Sequence, residues 1–230
     1  MEEQSAGVRD SAKQAEEAQR WSWVEPSVWT ARMLAALENG VKGGKWFSLI
    51  DKVYSRKNLE AAFGKVKRNK GAAGADHVTV ERFESNLDTE LDRLQEALKT
   101  GQYTPQAVKR VYIPKPGKNK QRALGIPTVR DRVVQAAVRQ AIEPIFEKEF
   151  KPLSYGFRPQ RGCKDALRKV TELITEDYRY VVEADIESYF DTIEHPRLME
   201  LIEERIADSR VLEVIERFLK AGILDGLRQW

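Results

Sequence analysis

The stretch from Tyr180 to Asp191, reading Tyr-Val-Val-Glu-Ala-Asp-Ile-Glu-Ser-Tyr-Phe-Asp, places the tightest limits on what this chain can form. It opens with aromatic and β-branched residues, which favour extended backbone. In a 230-residue chain with a core to build, it reads as a buried strand. Buried strands carry apolar residues, yet this one ends on the carboxylate of Asp185. A carboxylate fixed at a strand end suits a hard cation such as Mg²⁺. Phe190, five residues on, is spaced to set an aromatic wall beside whatever that cation binds. A second reading stays open on these residues alone: Asp is a favoured N-cap, and a strand–Asp–helix junction would use it as one.

Charge narrows the choice. Between Lys99 and Val170 there are 17 Lys and Arg against 5 Asp and Glu, a net +12, while the remainder carries 22 basic against 31 acidic residues, a net −9. So lopsided a block is the footprint of a polyanion surface rather than a solvated face. With 41% hydrophobic and 33% charged residues, the composition is that of a globular protein of one large or two small domains. No apolar run approaches the ~18 residues of a membrane span, and the acidic first residues do not read as a signal peptide. The single Cys163 excludes an internal disulfide and fits a reducing cytoplasm.

Along the chain, residues 1–20 read as a disordered polar tail. Residues 21–57 read as a helical extension, with Pro26 and Ser27 starting a helix through Leu37 and the Trp residues packed in the core. Asn58 reads as the cap of a helix through Asn69, stopped by Gly71. The loop Gly71-Ala-Ala-Gly74-Ala-Asp76 is either a phosphate-approaching turn or a plain one. Phe83, Leu87, Leu91, Leu94 and Leu98 mark one face of an amphipathic helix. Val108–Ile113 and Gln121–Ile126 read as strands joined by a Pro-Gly turn, a ribbon presenting Lys109, Arg110, Lys115, Lys118, Lys120 and Arg122 to a triphosphate or a nucleic-acid backbone. Thr128 caps the next helix with Asp131 at its third position, and Pro144 kinks or ends it. Ser154–Gly162 interleaves aromatics with Arg158 and Arg161, a composition suited to single-stranded or A-form nucleic acid. Helices follow around Leu167–Ile174, from Pro196, and over Val211–Leu219. Helices mixed with a hairpin and a strand give an α+β fold.

Five stretches occur in order: Gly71-Ala-Ala-Gly-Ala-Asp76, Arg110-Val-Tyr-Ile-Pro-Lys-Pro116, Leu124-Gly-Ile-Pro-Thr128, Tyr155-Gly-Phe-Arg-Pro159 and Ala184-Asp-Ile-Glu-Ser-Tyr-Phe-Asp191. Together they resemble the reverse transcriptases of bacterial group II introns, also called intron maturases, from about Asn58 to Trp230. The resemblance implies a right-hand polymerase, with fingers over residues 58–175 and the first part of a palm over 176–230. It implies a bacterial cytoplasmic protein that joins deoxynucleotides to a DNA primer on an RNA template, with two Mg²⁺ ions bridging attacking and leaving oxygens. On it, Asp185 is the first metal-binding carboxylate, helped by the Ile186 carbonyl. Lys109 and Lys115 bind the incoming dNTP, and Phe190 is the gate against a ribose 2′-hydroxyl. Arg110, Lys118, Lys120, Arg122, Arg158 and Arg161, with Gly71 and Gly74, contact template or primer. A homodimer is compatible with it.

Departures matter as much. His77 stands where the family has a glycine, and Lys109 where it commonly has an arginine, which removes bidentate phosphate binding. No Tyr-x-Asp-Asp box, Asp-Asp pair or Pro-Gln-Gly box occurs in the 230 residues. One carboxylate cannot hold two Mg²⁺ ions in the geometry of the reaction. The sequence therefore reads as the N-terminal portion of such a polymerase, inactive by itself. The alternatives are a non-catalytic RNA-binding module that grips intron RNA, and a split enzyme completed by a second polypeptide.

Overall fold

Val108–Pro114 (β1) and Gln121–Ile126 (β2) pair antiparallel, Val111 opposite Leu124 and Ile113 opposite Arg122, so the hairpin expected from the sequence forms. The computed structural model describes residues 19–114, 117, 121–226 and 228–229. Lys115, Lys118, Lys120 and the tail over residues 1–18 lie outside the described residues. In chain order the helices are α1 (Ala31–Asn39), α2 (Ile50–Val53), α3 (Arg56–Asn69), α4 (Val80–Glu84), α5 (Leu87–Lys99), α6 (Val129–Glu147), α7 (Cys163–Thr175), α8 (His195–Glu203) and α9 (Ser209–Leu219). Two short strands close the chain, β3 (Ile223–Asp225) and β4 (Arg228–Gln229). The sheet order is β2-β1-β3-β4, with β3 parallel to β1 and β4 antiparallel to β3. The architecture is mixed α+β.

The residues form two compact units, Glu25–Glu143 with Ile193–Trp230, and Met1–Val24 with Pro144–Thr192; the division falls inside α6, at Pro144. Helix α6 continues to Glu147 with Pro144 inside it, so the proline does not end the helix.

The larger unit is built on the apolar faces of α3, α5 and α6. Leu59, Phe63 and Val66, Leu91, Leu94 and Leu98, and Val133, Val134, Ala137 and Ala141 are all buried. Each buried Leu, Val or Phe contributes about 1.5–3 kcal/mol. The Trp residues read as core do lie there in part: Trp29 is buried, donates its indole N–H to the Gln140 carbonyl at 3.0 Å and meets Trp46 edge-on at 5.1 Å. Thr128 caps α6 as expected, accepting from the Asp131 backbone N–H at 3.1 Å. The Asp131 carboxylate turns instead to the Tyr103 hydroxyl at 2.7 Å and the Gln106 backbone N–H at 3.0 Å. Burial, then the Asp131 charge, pushes the Tyr103 phenol far up from its ordinary value.

Several local expectations shift. Pro26 and Ser27 form a turn rather than a helix start; Thr30 caps α1 through the Met33 N–H at 3.3 Å. Asn58 lies inside α3, one turn past its cap at Ser55. Its buried amide donates to the carbonyls of Lys52, Val53 and Ala137 and so satisfies the C-terminal end of α2. The helix expected across Phe83–Leu98 is two, because Ser85 and Asn86 interrupt it; such side chains compete with the helical ladder for backbone partners. One carboxylate not anticipated from the sequence joins two helix starts. Asp208 Oδ2 accepts from Leu49 N and Ile50 N at 2.6 and 2.8 Å, and its Oδ1 from Arg210 N and Val211 N at 3.1 and 3.2 Å. Backbone bonds between Trp46 and the chain at Arg205 and Ala207, both 2.8 Å, run beside it.

In the smaller unit, α7 is followed by an irregular segment and a 3-10 turn at Tyr189–Asp191. The buried strand expected at 180–184 is not there: Tyr180, Val181 and Val182 are 97, 85 and 93% exposed. The physical reason is that no other strand among the described residues pairs with this segment, and an extended run without a ladder partner is not a strand.

Candidate nucleic-acid interface

The cationic hairpin divides its charges between two faces, because side chains alternate along a strand. Lys109, Val111 and Ile113 share one face with Ile126, Leu124 and Arg122; Arg110 and Tyr112 lie on the other. Lys109 and Arg110 therefore do not act together on one phosphate. Arg110 is occupied: β3 brings Asp225 to 3.6 Å from its guanidinium, and the same carboxylate accepts from the Tyr112 hydroxyl at 2.9 Å. A signal for the end of β3 was present in Gly226, which follows the paired Asp225 and takes a φ of +62°. Lys109 is half-buried and Arg122 exposed, so these two of the hairpin's described cations remain to meet a ligand.

The glycine loop is braced from α6. Arg132 donates to the carbonyls of Lys70 at 3.3 Å and Ala72 at 2.9 Å. Gly71 takes a φ of +115°, and a Cβ there would stand 2.7 Å from the Arg132 guanidinium. At Gly74 a Cβ would lie 2.6 Å from both N and Cα of Thr128. Close backbone approach to the α6 cap thus explains Gly74 without any phosphate. A Gly74→Ala variant is expected to lose about 2–3 kcal/mol, since backbone on both sides must shift; urea unfolding measures it, and an unchanged midpoint counts against this contact. His77 keeps a left-handed backbone with φ +58°, a region His visits more readily than most residues. The Val78 N–H bonds Asp76 Oδ1 at 3.0 Å beside it.

In the smaller unit, Arg158 is built into the fold rather than presented to RNA. Its Nε and Nη2 reach Glu147 at 3.0 and 2.6 Å, its Nη1 reaches the carbonyls of Lys151 and Ser154 at 2.8 Å each, and it lies over the Phe150 ring at 5.0 Å. With every nitrogen engaged, it fixes the 150–158 loop. Arg161 is exposed, donates to the Pro152 carbonyl and stacks over Tyr155 at 5.7 Å. Phe157 is 98% exposed on a left-handed backbone, φ +57°, an aromatic face open to stacking.

Asp185 is exposed, and its Oδ1 accepts from the Ile186 backbone N–H at 3.0 Å. It caps no helix: Ser188 precedes the 189–191 turn and Glu194 precedes α8. Ile186 is exposed, and Phe190 is exposed with Tyr189 edge-on at 5.3 Å. Among the described residues no group of three or more His, Cys, Asp or Glu could hold a metal ion. Divalent-metal chemistry belongs to the family, but a single solvent-facing carboxylate bonded to its neighbour's N–H does not fit a two-metal centre. Asp185 and the hairpin belong to different units.

Residues 113–229 match the family Reverse transcriptase (RNA-dependent DNA polymerase). The chain belongs to that family. Among curated proteins, this chain is similar to Protein YkfC of Escherichia coli, 43% identical over 68% of this chain and 42% of that one. It is similar to the Group II intron-encoded protein LtrA of Lactococcus lactis, 40% identical over 72% of this chain and 27% of LtrA. A third relative, an uncharacterized 91 kDa protein in cob intron of Schizosaccharomyces pombe, is 31% identical over 76% of this chain and 21% of its own. The chain thus spans less than half the length of each of these curated relatives. No helix among the described residues is long and apolar enough to cross a membrane.

Proposed function

We propose that this reverse transcriptase chain is the fingers and first part of the palm of a group II intron polymerase and maturase, binding intron RNA, template–primer and dNTP in a bacterial cytoplasm. The single observation carrying this is the likeness to LtrA over 72% of the chain. Lys109 and Arg122 grip phosphate from one face of the hairpin, and Lys115, Lys118 and Lys120, from the stretch between its strands in the sequence, add charge to the same ligand. Arg161 and Phe157 meet an unpaired strand by charge and stacking. Arg110 steadies the sheet through Asp225 and Arg158 steadies its loop, so neither is a primary nucleic-acid contact. Asp185, with the Ile186 carbonyl, is one part of a Mg²⁺ site whose other carboxylates come from outside these 230 residues, and Phe190 is the sugar gate. A second reading, RNA binding without catalysis, is favoured by the +12 block and the missing Asp-Asp pair.

Filter binding of an RNA template annealed to a DNA primer tests both. Affinity is expected to fall at least about tenfold between ~50 and ~200 mM salt and to survive Asp185→Ala, while the chain alone extends no primer. Affinity indifferent to salt sinks the nucleic-acid reading. Robust extension by the purified chain sinks the account of the missing carboxylates.

A further inference from the structure

The last turn of α3 and the outer face of α6 enclose a cavity of about 330 Å³, lined by Lys65, Val66, Asn69 and Lys70 from one side and Arg132, Gln135, Ala136 and Arg139 from the other. The spacings explain the wall. Positions 65 and 69 repeat at four, and 132, 135, 136 and 139 at three, four and seven, so each set forms one helix stripe. On α6 the opposite stripe carries the buried core, while on α3 the adjoining stripe does, Val66 belonging to both core and cavity wall.

Four cations line this cavity and no carboxylate does. Three features separate it from an ordinary solvated surface. Arg132 is held by the Lys70 and Ala72 carbonyls, and its Nε is buried without a hydrogen-bond partner. Among the described residues neither Lys65 nor Lys70 is in a salt bridge, and Arg139 pairs only with Glu143 at 2.6 Å. Burial lowers the Lys65 ammonium from its ordinary value, with Glu25 and Glu143 pulling the other way. The bland explanation is that cations here answer the C-terminal dipole of α3. That dipole amounts to about half a negative charge, and although Glu143 pairs with Arg139 and Glu25 and Asp76 act on Lys65 and Arg132 from outside the lining, the cavity wall itself carries cations and amides without a carboxylate.

We propose that this cavity is a phosphate-binding site, in which Lys65, Lys70 and Arg139 neutralise the charge and Asn69 and Gln135 supply amide donors. The phosphate is either a phosphodiester of a nucleic-acid strand running past the glycine loop, or a free inorganic phosphate. The first choice rests on the nucleic-acid reading above; the site itself does not. Arg132 positions the wall by bracing the loop and is left intact in the test.

The experiment compares the 230-residue chain with Lys65→Gln/Arg139→Gln, and with each single substitution, changes that remove no backbone contact. Two readouts are taken: RNA affinity across salt, and the thermal midpoint with added inorganic phosphate. The pair of substitutions is expected to weaken RNA binding about tenfold and to reduce the salt slope by about one to two. If wild type binds RNA in a salt-sensitive manner and the double variant binds identically, the phosphodiester site is overturned and the general reading stands. If wild type binds no RNA, the general reading fails, and phosphate decides the cavity. A phosphate-dependent rise in midpoint that the variant loses upholds a free-anion site, and the absence of any such rise overturns it.

Discussion

Arg158→Ala destabilises the smaller unit by about 3–5 kcal/mol. The side chains of Arg158 and Glu147 are only 6 and 14% exposed, and removing one partner of a buried ion pair strands the other charge. Here the loss is larger than one pair, because the Lys151 and Ser154 carbonyls lose their donor too. Arg158→Lys does not restore it, since an ammonium cannot bridge a carboxylate and two carbonyls from a planar fork. Urea unfolding followed by the near-ultraviolet signal measures the effect. In a double-mutant cycle, Glu147→Gln combined with Arg158→Ala loses less than the sum of the two, because the stranded carboxylate is gone. A loss below about 1 kcal/mol together with weakened RNA binding returns Arg158 to the nucleic-acid surface and refutes its structural role.

Asp208→Ala is expected to lose about 3–4 kcal/mol in the larger unit. An ordinary N-cap replacement costs about 0.5–2 kcal/mol, but this carboxylate serves two helix starts, α2 and α9, with four backbone N–H groups. The donors of Leu49 and Ile50 are buried, and each buried donor left unsatisfied costs about 1–3 kcal/mol. Asp208→Asn keeps an acceptor oxygen, loses the charge assistance, and falls between wild type and alanine. Because the contacts join residues about 160 positions apart, hydrogen exchange at Leu49 and Ile50 should accelerate in the alanine variant. Unchanged exchange there with a lowered midpoint shows that only the α9 cap matters and rejects the two-helix account.

What the sequence could convey follows from the range of each signal. The buried stripes of α3 and α5, the cap at Thr128 and the pairing of the two hairpin strands are local patterns and form as read, although the repeat from Phe83 to Leu98 is split at Ser85 and Asn86 and the cap of α3 lies at Ser55 rather than Asn58. Asp208 was hidden because its partners at Leu49 and Ile50 lie far off in sequence; only its place before Val211 hinted at a cap. Asp225 is similar: nothing near it in sequence says that it neutralises Arg110. For Arg158, composition pointed to RNA, yet Glu147 eleven residues earlier takes the charge. The segment at 180–184 has strand propensity, but propensity supplies no partner, and without a ladder it stays open. Lys65 and Arg139 carried a readable spacing on their helices; their convergence needed the packing of α3 against α6.

The open stretch from Tyr180 to Val182 has a consequence for the chain in solution. An exposed run of aromatic and β-branched residues with no strand partner among the described residues is a segment onto which another chain can add as a strand. Its flanks are charged: Arg179 on one side, Glu183 and Asp185 on the other. Charges bracketing an exposed apolar run act as gatekeepers against self-association, and Arg179 and Glu183 are the residues placed to do so here.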